Sequence, residues 1–368
     1  MNKKDLFVTQ PFLPPLEEFM PYLEGIWDRK VLTNNGPLHQ ELEAALCDYL
    51  GVPEIALFNN GTIALLTALQ SLDLKGEIIT TPYSFVATSH SLLWNGSAPV
   101  FVDIDPTTYN IDPLKVEAAI TANTRAIVAV HCYGNPCDHD ALEALANRYS
   151  LKIIYDAAHA FGVKDQSGSI LNHGDLAAVS FHATKVFNTF EGGAIVCADK
   201  ETKQRINNLK NFGIVNEVSV VDPGINGKMS EINAAFGLLQ LKYADQIFEQ
   251  RQSVDKRYRL GFADLDSIVL PPQLDGVTSN YSYFPIIVTD AYPLKRDELY
   301  EHLKQHGVYS RRYFYPLITT FPMYHSLPSA NPVNLPVAHH VADRILCLPI
   351  YPSMTDADIT RVIELVKR

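Results

Sequence analysis

Hydrophobic positions between about residues 38 and 200 follow two alternating spacings. Short apolar runs are separated by stretches in which apolar residues recur every three or four positions. In HQELEAALCDYLG, for example, Leu42, Ala45, Leu46 and Tyr49 share one helical face and Gly51 provides a stop. Alternating strands and helices are typical of a mostly parallel sheet covered by helices on both faces, so the pattern predicts an α/β fold.

The strands predicted in this region are mostly apolar on both faces, as expected of parallel strands buried inside a protein. Gly, Pro, Asp or Asn bound them, and in chain order they are EIALF, EIITTP, PVFVDID, AIVAVHCYG, KIIYDAA, AAVSFHA and GAIVCAD.

The pattern changes from about Glu231, where a long helical stretch, EINAAFGLLQLKYADQIFEQRQSVDKRYRLGF, leads away. Later segments predict a strand in SNYSYFPIIVTD and helices in LKRDELYEHLKQHG and TDADITRVIELVKR. A chain of 368 residues is longer than one core usually serves. We therefore expect a large domain over residues 1–240 and a smaller α+β domain over residues 241–368, joined by the long helix.

Composition and charge narrow the class of protein. The chain is 47% hydrophobic and 19% charged, as in an ordinary globular protein, and its formal net charge of -11 opposes general binding to nucleic acid or anionic membrane. Neither a signal peptide nor an uncharged apolar run of membrane-spanning length is found. The five cysteines are widely scattered, which favours reduced thiols and a cytoplasmic location.

The first candidate site cluster is NNGTIALL, where a predicted strand ends and a helix begins. Gly61 and Thr62 could present backbone N–H groups and a hydroxyl to a phosphate at the positive end of that helix. The alternative is a simple helix cap formed by Thr62 or Asn60.

The second cluster is IIYDAAHAFG, in which Asp156 ends an apolar strand and His159 lies three residues onward. A carboxylate at the edge of the sheet requires a partner, such as the protonated ring nitrogen of a cofactor. His159 could reach an oxygen of the same ligand. The alternatives are that Asp156 caps the following segment and that His159 is a packed or capping side chain.

The third cluster is SFHATKVFNTFEGGAIV, where Lys185 lies between two buried strands. Partial burial would favour its neutral amine, which is a nucleophile for an aldehyde and afterwards a base that carries protons. Ser180, five residues earlier, could add a hydroxyl to the phosphate site. The alternative for Lys185 is an ordinary surface lysine in a loop.

Together these clusters resemble the nucleotide-sugar aminotransferases of the DegT/StrS type, and the resemblance covers nearly the whole chain. The motifs that carry it are, in order, LTNNGPLHQELEAALCDYLG, FNNGTIALLTAL, TPYSFVAT, PVFVDID, HCYGNP, YDAAHAFG, SFHATK, EGGAIV, PGINGKMSEINAAFGLLQL and RRYFYPL. The resemblance implies an aspartate-aminotransferase-like fold, the fold type I of pyridoxal-phosphate enzymes, with a large mostly parallel mixed sheet and a smaller α+β C-terminal domain.

The resemblance also assigns roles to individual residues. Lys185 matches the lysine that binds pyridoxal 5'-phosphate covalently, and Asp156 matches the residue on the pyridine nitrogen. The remaining matches are His159 beside the cofactor's phenolic oxygen, Phe85 stacked on its ring, Gly61, Thr62 and Ser180 at its phosphate, and Asn226, which the neighbouring subunit contributes to the phosphate. A homodimer with shared active sites is implied.

The implied reaction is transamination, since relatives with histidine in place of the lysine are sugar dehydratases and Lys185 is present here. Glutamate is the implied amino donor. The stretches FNNGTIALLTAL, TPYSFVATSHSLLWNG and SFHATKVFNTFEGGAIV are most similar to members that convert dTDP-4-keto-6-deoxy-D-glucose into dTDP-4-amino-4,6-dideoxy-D-glucose, a role in lipopolysaccharide O-antigen biosynthesis. Amination of a 3-keto sugar is the alternative.

Three stretches depart from the family's pattern or vary among its members. VFNTF follows Lys185 where many members have an Asn-Leu-Gly stretch, and the substrate-facing positions in TNNGP and RRYFYPL vary among members. Arg311, Arg312 and Lys30 are candidates for the sugar's diphosphate by motif position, and the alternative is that they are ordinary solvated side chains.

Other classes of protein fit the sequence less well. An NAD-dependent oxidoreductase would carry G-x-G-x-x-G after its first strand, and GINGKMS has the wrong glycine spacing for a P-loop. A zinc site in HCYGNPCDHD would need His131, Cys132, Cys137 and His139 to converge, whereas strand and turn would point them apart, so we expect no metal. A non-catalytic regulatory protein on this fold remains the main rival.

Overall fold

The apolar runs predicted as strands are strands in the computed structural model, which describes residues 5–367. The strands are β1 (Leu6–Phe7), β2 (Glu54–Phe58), β3 (Glu77–Thr80), β4 (Ala98–Phe101), β5 (Thr124–Val130), β6 (Lys152–Asp156), β7 (Lys164–Asp165), β8 (Gly168–Ser169), β9 (Leu176–Ser180), β10 (Gly193–Cys197), β11 (Ile214–Asn216), β12 (Ser219–Val220), β13 (Ile268–Val269), β14 (Phe284–Val288), β15 (Val308–Tyr309) and β16 (Ile345–Leu348).

The α-helices alternate with these strands in the first half of the chain and dominate the second. They are α1 (Leu16–Arg29), α2 (Pro37–Leu50), α3 (Gly61–Ser71), α4 (Val86–Trp94), α5 (Pro113–Ala119), α6 (His139–Tyr149), α7 (Lys200–Leu209), α8 (Glu231–Leu241), α9 (Ala244–Gly261), α10 (Arg296–Gln305), α11 (Pro336–Arg344) and α12 (Asp356–Lys367). None of them, within residues 5–367, is long and apolar enough to span a bilayer.

A seven-stranded sheet in the order β2-β10-β9-β6-β5-β3-β4 organises the larger part of the molecule. Every strand runs parallel to its neighbours except β10, which is antiparallel to both β2 and β9. The predicted α/β fold with a mostly parallel mixed sheet is confirmed. Because all strands but β10 point the same way, the carboxyl ends of β2, β6 and β9 lie at one edge.

Both faces of this sheet are buried, which explains why its strands lack a polar alternation. In β6, Ile153 and Tyr155 pack into one hydrophobic core, whereas Ile154 packs into another on the opposite face. Successive side chains of a strand point to opposite faces, so an apolar run is needed where helices cover both. Leu46 of α2 belongs to the first core and Leu65 of α3 to the second.

The second half of the chain builds a smaller antiparallel sheet in the order β13-β14-β16. A third core lies there, with Tyr258 of α9, Phe284 of β14 and Val362 of α12. Leu6 of the amino-terminal segment also packs into that core, and β1 pairs in parallel with β15. The division between domains at residue 240 stays a prediction.

The long helical pattern predicted from Glu231 is two helices rather than one. α8 ends at Leu241 and α9 begins at Ala244, and between them the N–H groups of Lys242 and Tyr243 bond to carbonyls three residues back, which tightens the turn. The break has a packing reason, because Leu239 of α8 is buried in the core of the large sheet and Tyr258 of α9 in that of the small one. No Gly or Pro marks this turn in the sequence.

Candidate active site

The three sequence clusters converge on one cavity at the carboxyl edge of the large sheet, the usual ligand site of open α/β sheets. The cavity encloses about 290 Å³, near the lower end for small-molecule sites. Its lining includes Asn60, Gly61, Thr62, Ser84, Phe85, Asp156, His159, Ser180, Lys185, Tyr283, Tyr313 and Phe314.

The amino end of α3 presents unsatisfied backbone N–H groups to the cavity. Asn60, not Thr62, is the cap: its Oδ1 accepts the N–H of Ile63 at 2.8 Å. Within residues 5–367 the N–H groups of Gly61 and Thr62 have no acceptor. A Cβ added to Gly61 would lie 2.9 Å from Cβ of Ser180, so only glycine lets α3 approach β9 this closely. Such an end binds anions.

Asp156 is the last residue of β6, and its side chain is 8% exposed. Its Oδ2 accepts a hydrogen bond from Thr88 Oγ1 at 2.7 Å, and its Oδ1 accepts one from the N–H of Ala158 at 3.2 Å. Burial raises the pKa of this carboxyl, while both hydrogen bonds and the charge of Lys185 oppose the rise. No ion pair forms with it in the described part of the chain, so a cationic ligand would find an unpaired buried carboxylate.

Thr88 and Ser84 are site residues that the sequence reasoning missed. The hydroxyls of Ser84 and Thr88 lie 2.7 Å apart, and since the single hydrogen of Thr88 goes to Asp156, Ser84 donates to Thr88. The chain Ser84→Thr88→Asp156 joins α4 to β6 across 68 positions of sequence. Both residues stand in the motif TPYSFVAT, in which the family resemblance assigns a role only to Phe85.

His159 lies in the cavity wall in its neutral form. Its Nδ1 accepts the backbone N–H of Tyr133 at 3.2 Å, so the ring carries its hydrogen on Nε2. Burial, together with the charge of Lys185, holds the pKa of His159 well below its usual value. The ring stacks parallel to that of Phe314, with centroids 6.0 Å apart. Near neutral pH the ring is therefore uncharged, and its Nε2–H can donate one hydrogen bond.

Lys185 lies partly buried in the turn after β9, where its N–H bonds to the carbonyl of His182 at 2.9 Å. Burial lowers the pKa of its amine to about 8, against the opposing charge of Asp156. Phe85, which is 62% exposed, precedes α4 and presents its ring to the same cavity.

Tyr283, Tyr313 and Phe314 complete the wall from the second half of the chain. Tyr313 and Phe314 stand in RRYFYPL, one of the motifs that carry the family resemblance. Tyr283 lies in none of those motifs, so the sequence does not point to it.

Asn226 does not line the cavity of its own chain. It is exposed, and its carbonyl accepts a hydrogen bond from Asn59 Nδ2 at 3.4 Å. The diphosphate candidates Lys30, Arg311 and Arg312 do not line the cavity either, and Arg312 pairs with Asp297 at 2.9 Å. Their predicted roles stay predictions.

The four residues of HCYGNPCDHD do not converge. His131 Nδ1 accepts the N–H of Cys137 at 3.2 Å, and the thiol of Cys137 donates to the carbonyl of Val130 at 3.3 Å, so the potential ligand atoms of these two residues are engaged in separate local bonds. His139 instead faces Asp165 and His173.

The cavity residues fit a ligand with a phosphate at one end and a protonated ring nitrogen at the other. Free N–H groups and a close glycine lie at the end of α3, and an unpaired buried carboxylate lies at the end of β6. An amine that loses its proton near pH 8 lies beside them.

Comparison with known proteins gives a consistent set of similarities. A family model described as the DegT/DnrJ/EryC1/StrS aminotransferase family matches residues 16–367. The chain is 55% identical over 365 residues to a dTDP-4-amino-4,6-dideoxy-D-glucose transaminase of Shigella dysenteriae, covering 99% of each chain. It is 54% identical to a transaminase of the same name from Escherichia coli, covering 100% of this chain and 99% of that protein. Among solved structures, DesI with its TDP-sugar product superposes with a TM-score of 0.94 at 35% identity, over 99% of this chain and 93% of that one.

Proposed function

The chain belongs to the DegT/DnrJ/EryC1/StrS aminotransferase family, and on that premise we propose that it transfers the amino group of glutamate to carbon 4 of dTDP-4-keto-6-deoxy-D-glucose, giving dTDP-4-amino-4,6-dideoxy-D-glucose. As a member of this family it is an aminotransferase that uses pyridoxal 5'-phosphate. The observation that carries the proposal is that Lys185 and Asp156 line one cavity together with the amino end of α3. Support for the sugar comes from the two relatives that are more than half identical over their whole length.

Several of the cavity residues are placed to hold the cofactor. When bound, pyridoxal 5'-phosphate supplies an electron sink that stabilises negative charge at the carbon being aminated or deaminated. The N–H groups of Gly61 and Thr62 and the hydroxyl of Ser180 would bind phosphate oxygens. The carboxylate of Asp156, which accepts a hydrogen bond from Thr88, would hold the ring nitrogen in its protonated form.

The other side chains position the ring and move protons. Nε2–H of His159 would donate to the ring's oxygen, and Phe85 would cover one face of the ring. Lys185 would hold the cofactor through its amine, and the neutral amine would take up and return the proton at the carbon being aminated or deaminated. A pKa of about 8 keeps a useful fraction of that amine neutral near physiological pH.

The test is the reaction itself. Purified enzyme with bound cofactor is incubated with glutamate and dTDP-4-keto-6-deoxy-D-glucose, and NMR locates the new amine. We expect amination at carbon 4 and release of 2-oxoglutarate. Amination only of the 3-keto isomer would overturn the choice of sugar, and no product with either substrate would favour the non-catalytic regulatory reading. Lys185→Arg should be inactive, whereas Lys304→Arg, an exposed lysine, should match the parent.

We further propose a homodimer in which Asn226 of one subunit completes the phosphate site of the other. Supporting this, Asn226 is exposed outside its own cavity, and large apolar side chains nearby and on α1 are exposed, including Val218 at 93%, Val220 at 67% and Trp27 at 69%. Exposed apolar patches of this kind mark interaction surfaces.

Shared sites are tested by coexpressing Lys185→Ala and Asn226→Ala chains with different tags and purifying the mixed dimer. If Asn226 acts across the interface, one site in the mixed dimer has native residues, and activity should return to about half that of the parent. Activity no higher than the average of the two single variants would contradict the proposal.

A cytoplasmic location and a contribution of the product to lipopolysaccharide O-antigen are also proposed. The five free cysteines suit a reducing compartment. Cell fractionation tests the first, and loss of the amino sugar from the surface polysaccharide on deletion of the gene tests the second.

A further inference from the structure

Two histidines and an aspartate come together away from the active-site cavity. His139 begins α6, Asp165 belongs to β7, and His173 follows a short 3-10 turn over Ile170–Asn172. One potential ligand atom from each of the three lies within 4.8 Å of the others. None of the three lines the active-site cavity.

His139 is the member of this group whose polar atoms are left unsatisfied. Its side chain is 7% exposed, and neither Nδ1 nor Nε2 has a hydrogen-bond partner within residues 5–367. Its ring lies flat against that of His173, with centroids 3.7 Å apart and planes at 11°. A buried polar group without a partner loses its hydrogen bonds to water and gains none in return, so a ligand at this position would recover that loss.

His173 has a carboxylate near each of its two ring nitrogens. Its Nδ1 lies 3.2 Å from Oε1 of Glu143, and its Nε2 lies 3.5 Å from Oδ2 of Asp165. A carboxylate that accepts one ring N–H leaves the other nitrogen with a free lone pair, which is the usual arrangement around histidine ligands. The hydroxyl of Ser167 has one hydrogen and lies closer to Asp165 Oδ1, at 2.6 Å, than to His173 Nε2, at 3.1 Å.

A protonated His173 between the two carboxylates would also account for those distances. It would not account for His139, because the protonated ring of His173 has no lone pair and so offers no acceptor to either nitrogen of His139. A cation among His139, Asp165 and His173 satisfies all three residues at once.

We propose that His139, Asp165 and His173 bind one divalent transition-metal ion, zinc in particular. Two imidazoles and a carboxylate suit zinc, with water at the fourth position. Zinc lies about 2.0–2.1 Å from a ligating nitrogen and in the plane of its ring, whereas the rings of His139 and His173 are nearly parallel, so binding requires one of the two rings to rotate. The bound ion ties α6 to the β7–β8 hairpin and the segment before β9. This differs from the absence of metal that the sequence predicts.

The test uses chelator-treated, dialysed enzyme with its cofactor bound. Zinc chloride is titrated into it by calorimetry, and Co²⁺ serves as a visible-absorption probe. We expect one ion per chain and a cobalt spectrum without the thiolate charge-transfer band that cysteine ligands would give. His173→Ala and Asp165→Asn should each weaken binding at least tenfold. His340→Ala, which removes an exposed histidine of α11, should leave binding unchanged.

Folding and cofactor binding are checked separately for each variant by circular dichroism and cofactor absorbance. If His173→Ala fails to fold, Asp165→Asn carries the comparison. Zinc should raise the thermal midpoint of the parent but not of the variants. Absence of stoichiometric binding, or equal binding by parent and variants, would overturn the site. Either result leaves the aminotransferase proposal untouched, because the sugar assay and the zinc titration measure different residues.

Discussion

The protonation state of Asp156 is set by neighbouring groups rather than by solvent. Burial alone would favour the protonated acid, while the hydroxyl of Thr88 and the N–H of Ala158 favour the carboxylate. A carboxylate that must remain charged to hold a protonated ring nitrogen therefore depends on these donors. Thr88 is the one that can be removed by a nearly isosteric substitution.

Thr88→Val should shift the acidic limb of the activity profile towards neutral pH. The Thr88 hydrogen bond lowers the pKa of Asp156, so its loss raises that pKa, and the carboxylate is protonated sooner as pH falls. Activity at low pH should drop about tenfold, with less change at high pH. The measurement is kcat/KM against pH. Thr67→Val is the control, because the buried hydroxyl of Thr67 has no partner within residues 5–367; equal profiles for the two variants would argue against the role of Thr88.

Lys185 should capture its cofactor faster as pH rises, with a midpoint near 8. Burial lowers the pKa of the amine to about 8, and only the neutral amine attacks an aldehyde. Stopped-flow absorbance of cofactor-free enzyme mixed with pyridoxal 5'-phosphate measures this rate. Asp156→Asn removes the charge that raises the pKa of Lys185, so its midpoint should lie lower. A midpoint near 10 in the parent would mean that the amine is solvated.

Among the elements, the junction of α3 with β9 decides phosphate binding. A methyl group on Gly61 would meet Cβ of Ser180 at 2.9 Å and force the end of α3 away from β9. Gly61→Ala should therefore weaken binding of pyridoxal 5'-phosphate at least tenfold, about 1.4 kcal/mol, and change binding of unphosphorylated pyridoxal much less. Equilibrium dialysis of both ligands gives the comparison. Gly25→Ala in α1 is the control, because its methyl meets only the flexible end of Arg29.

The sequence predicted those elements whose packing imposes a simple pattern. β6 had to be apolar because Ile153 and Ile154 enter cores on opposite faces, and Asp156 stands out as the first charge after that run. The break between α8 and α9 could not be predicted, since it follows from which core each helix meets and not from a Gly or Pro.

Only those site residues that stand in local sequence motifs could be predicted from the sequence. Lys185, Asp156 and Gly61 each end or follow a strand, so their places at the sheet edge follow from topology. The contact of Thr88 with Asp156 joins residues 68 positions apart, and no local spacing reveals it. Tyr283 enters the wall only because the second half of the chain folds back over the large sheet.

At the scale of the whole molecule, Arg251 of α9 links separate segments of the second half of the chain by hydrogen bonds. Its side chain is 2% exposed, and Nη1 donates to the carbonyls of Tyr281, Ser282 and Ile350 at 3.0–3.3 Å. Burial lowers the pKa of its guanidinium to about 10, so it remains charged at neutral pH. Charged donors to buried carbonyls are among the stronger hydrogen bonds in proteins.

Arg251→Leu should lower the free energy of unfolding by roughly 3 kcal/mol, because three carbonyls lose a charged donor in a dry environment. Thermal midpoints at saturating cofactor measure the loss. Arg257→Leu, on the same helix, removes an arginine paired with the exposed Asp356 and should cost at most about 1 kcal/mol. Similar losses in the two variants would contradict the role given to Arg251.

The covalent attachment of the cofactor to Lys185 is the claim on which the rest depends. Borohydride converts a reversible carbon–nitrogen bond between cofactor and lysine into a permanent one, and peptide mass mapping then locates it. We predict yellow enzyme after incubation with pyridoxal 5'-phosphate and, after reduction, one labelled tryptic peptide that contains SFHATKVFNTF, with the label on Lys185. Colourless enzyme, or a label on a surface lysine such as Lys304 in place of Lys185, would contradict the account.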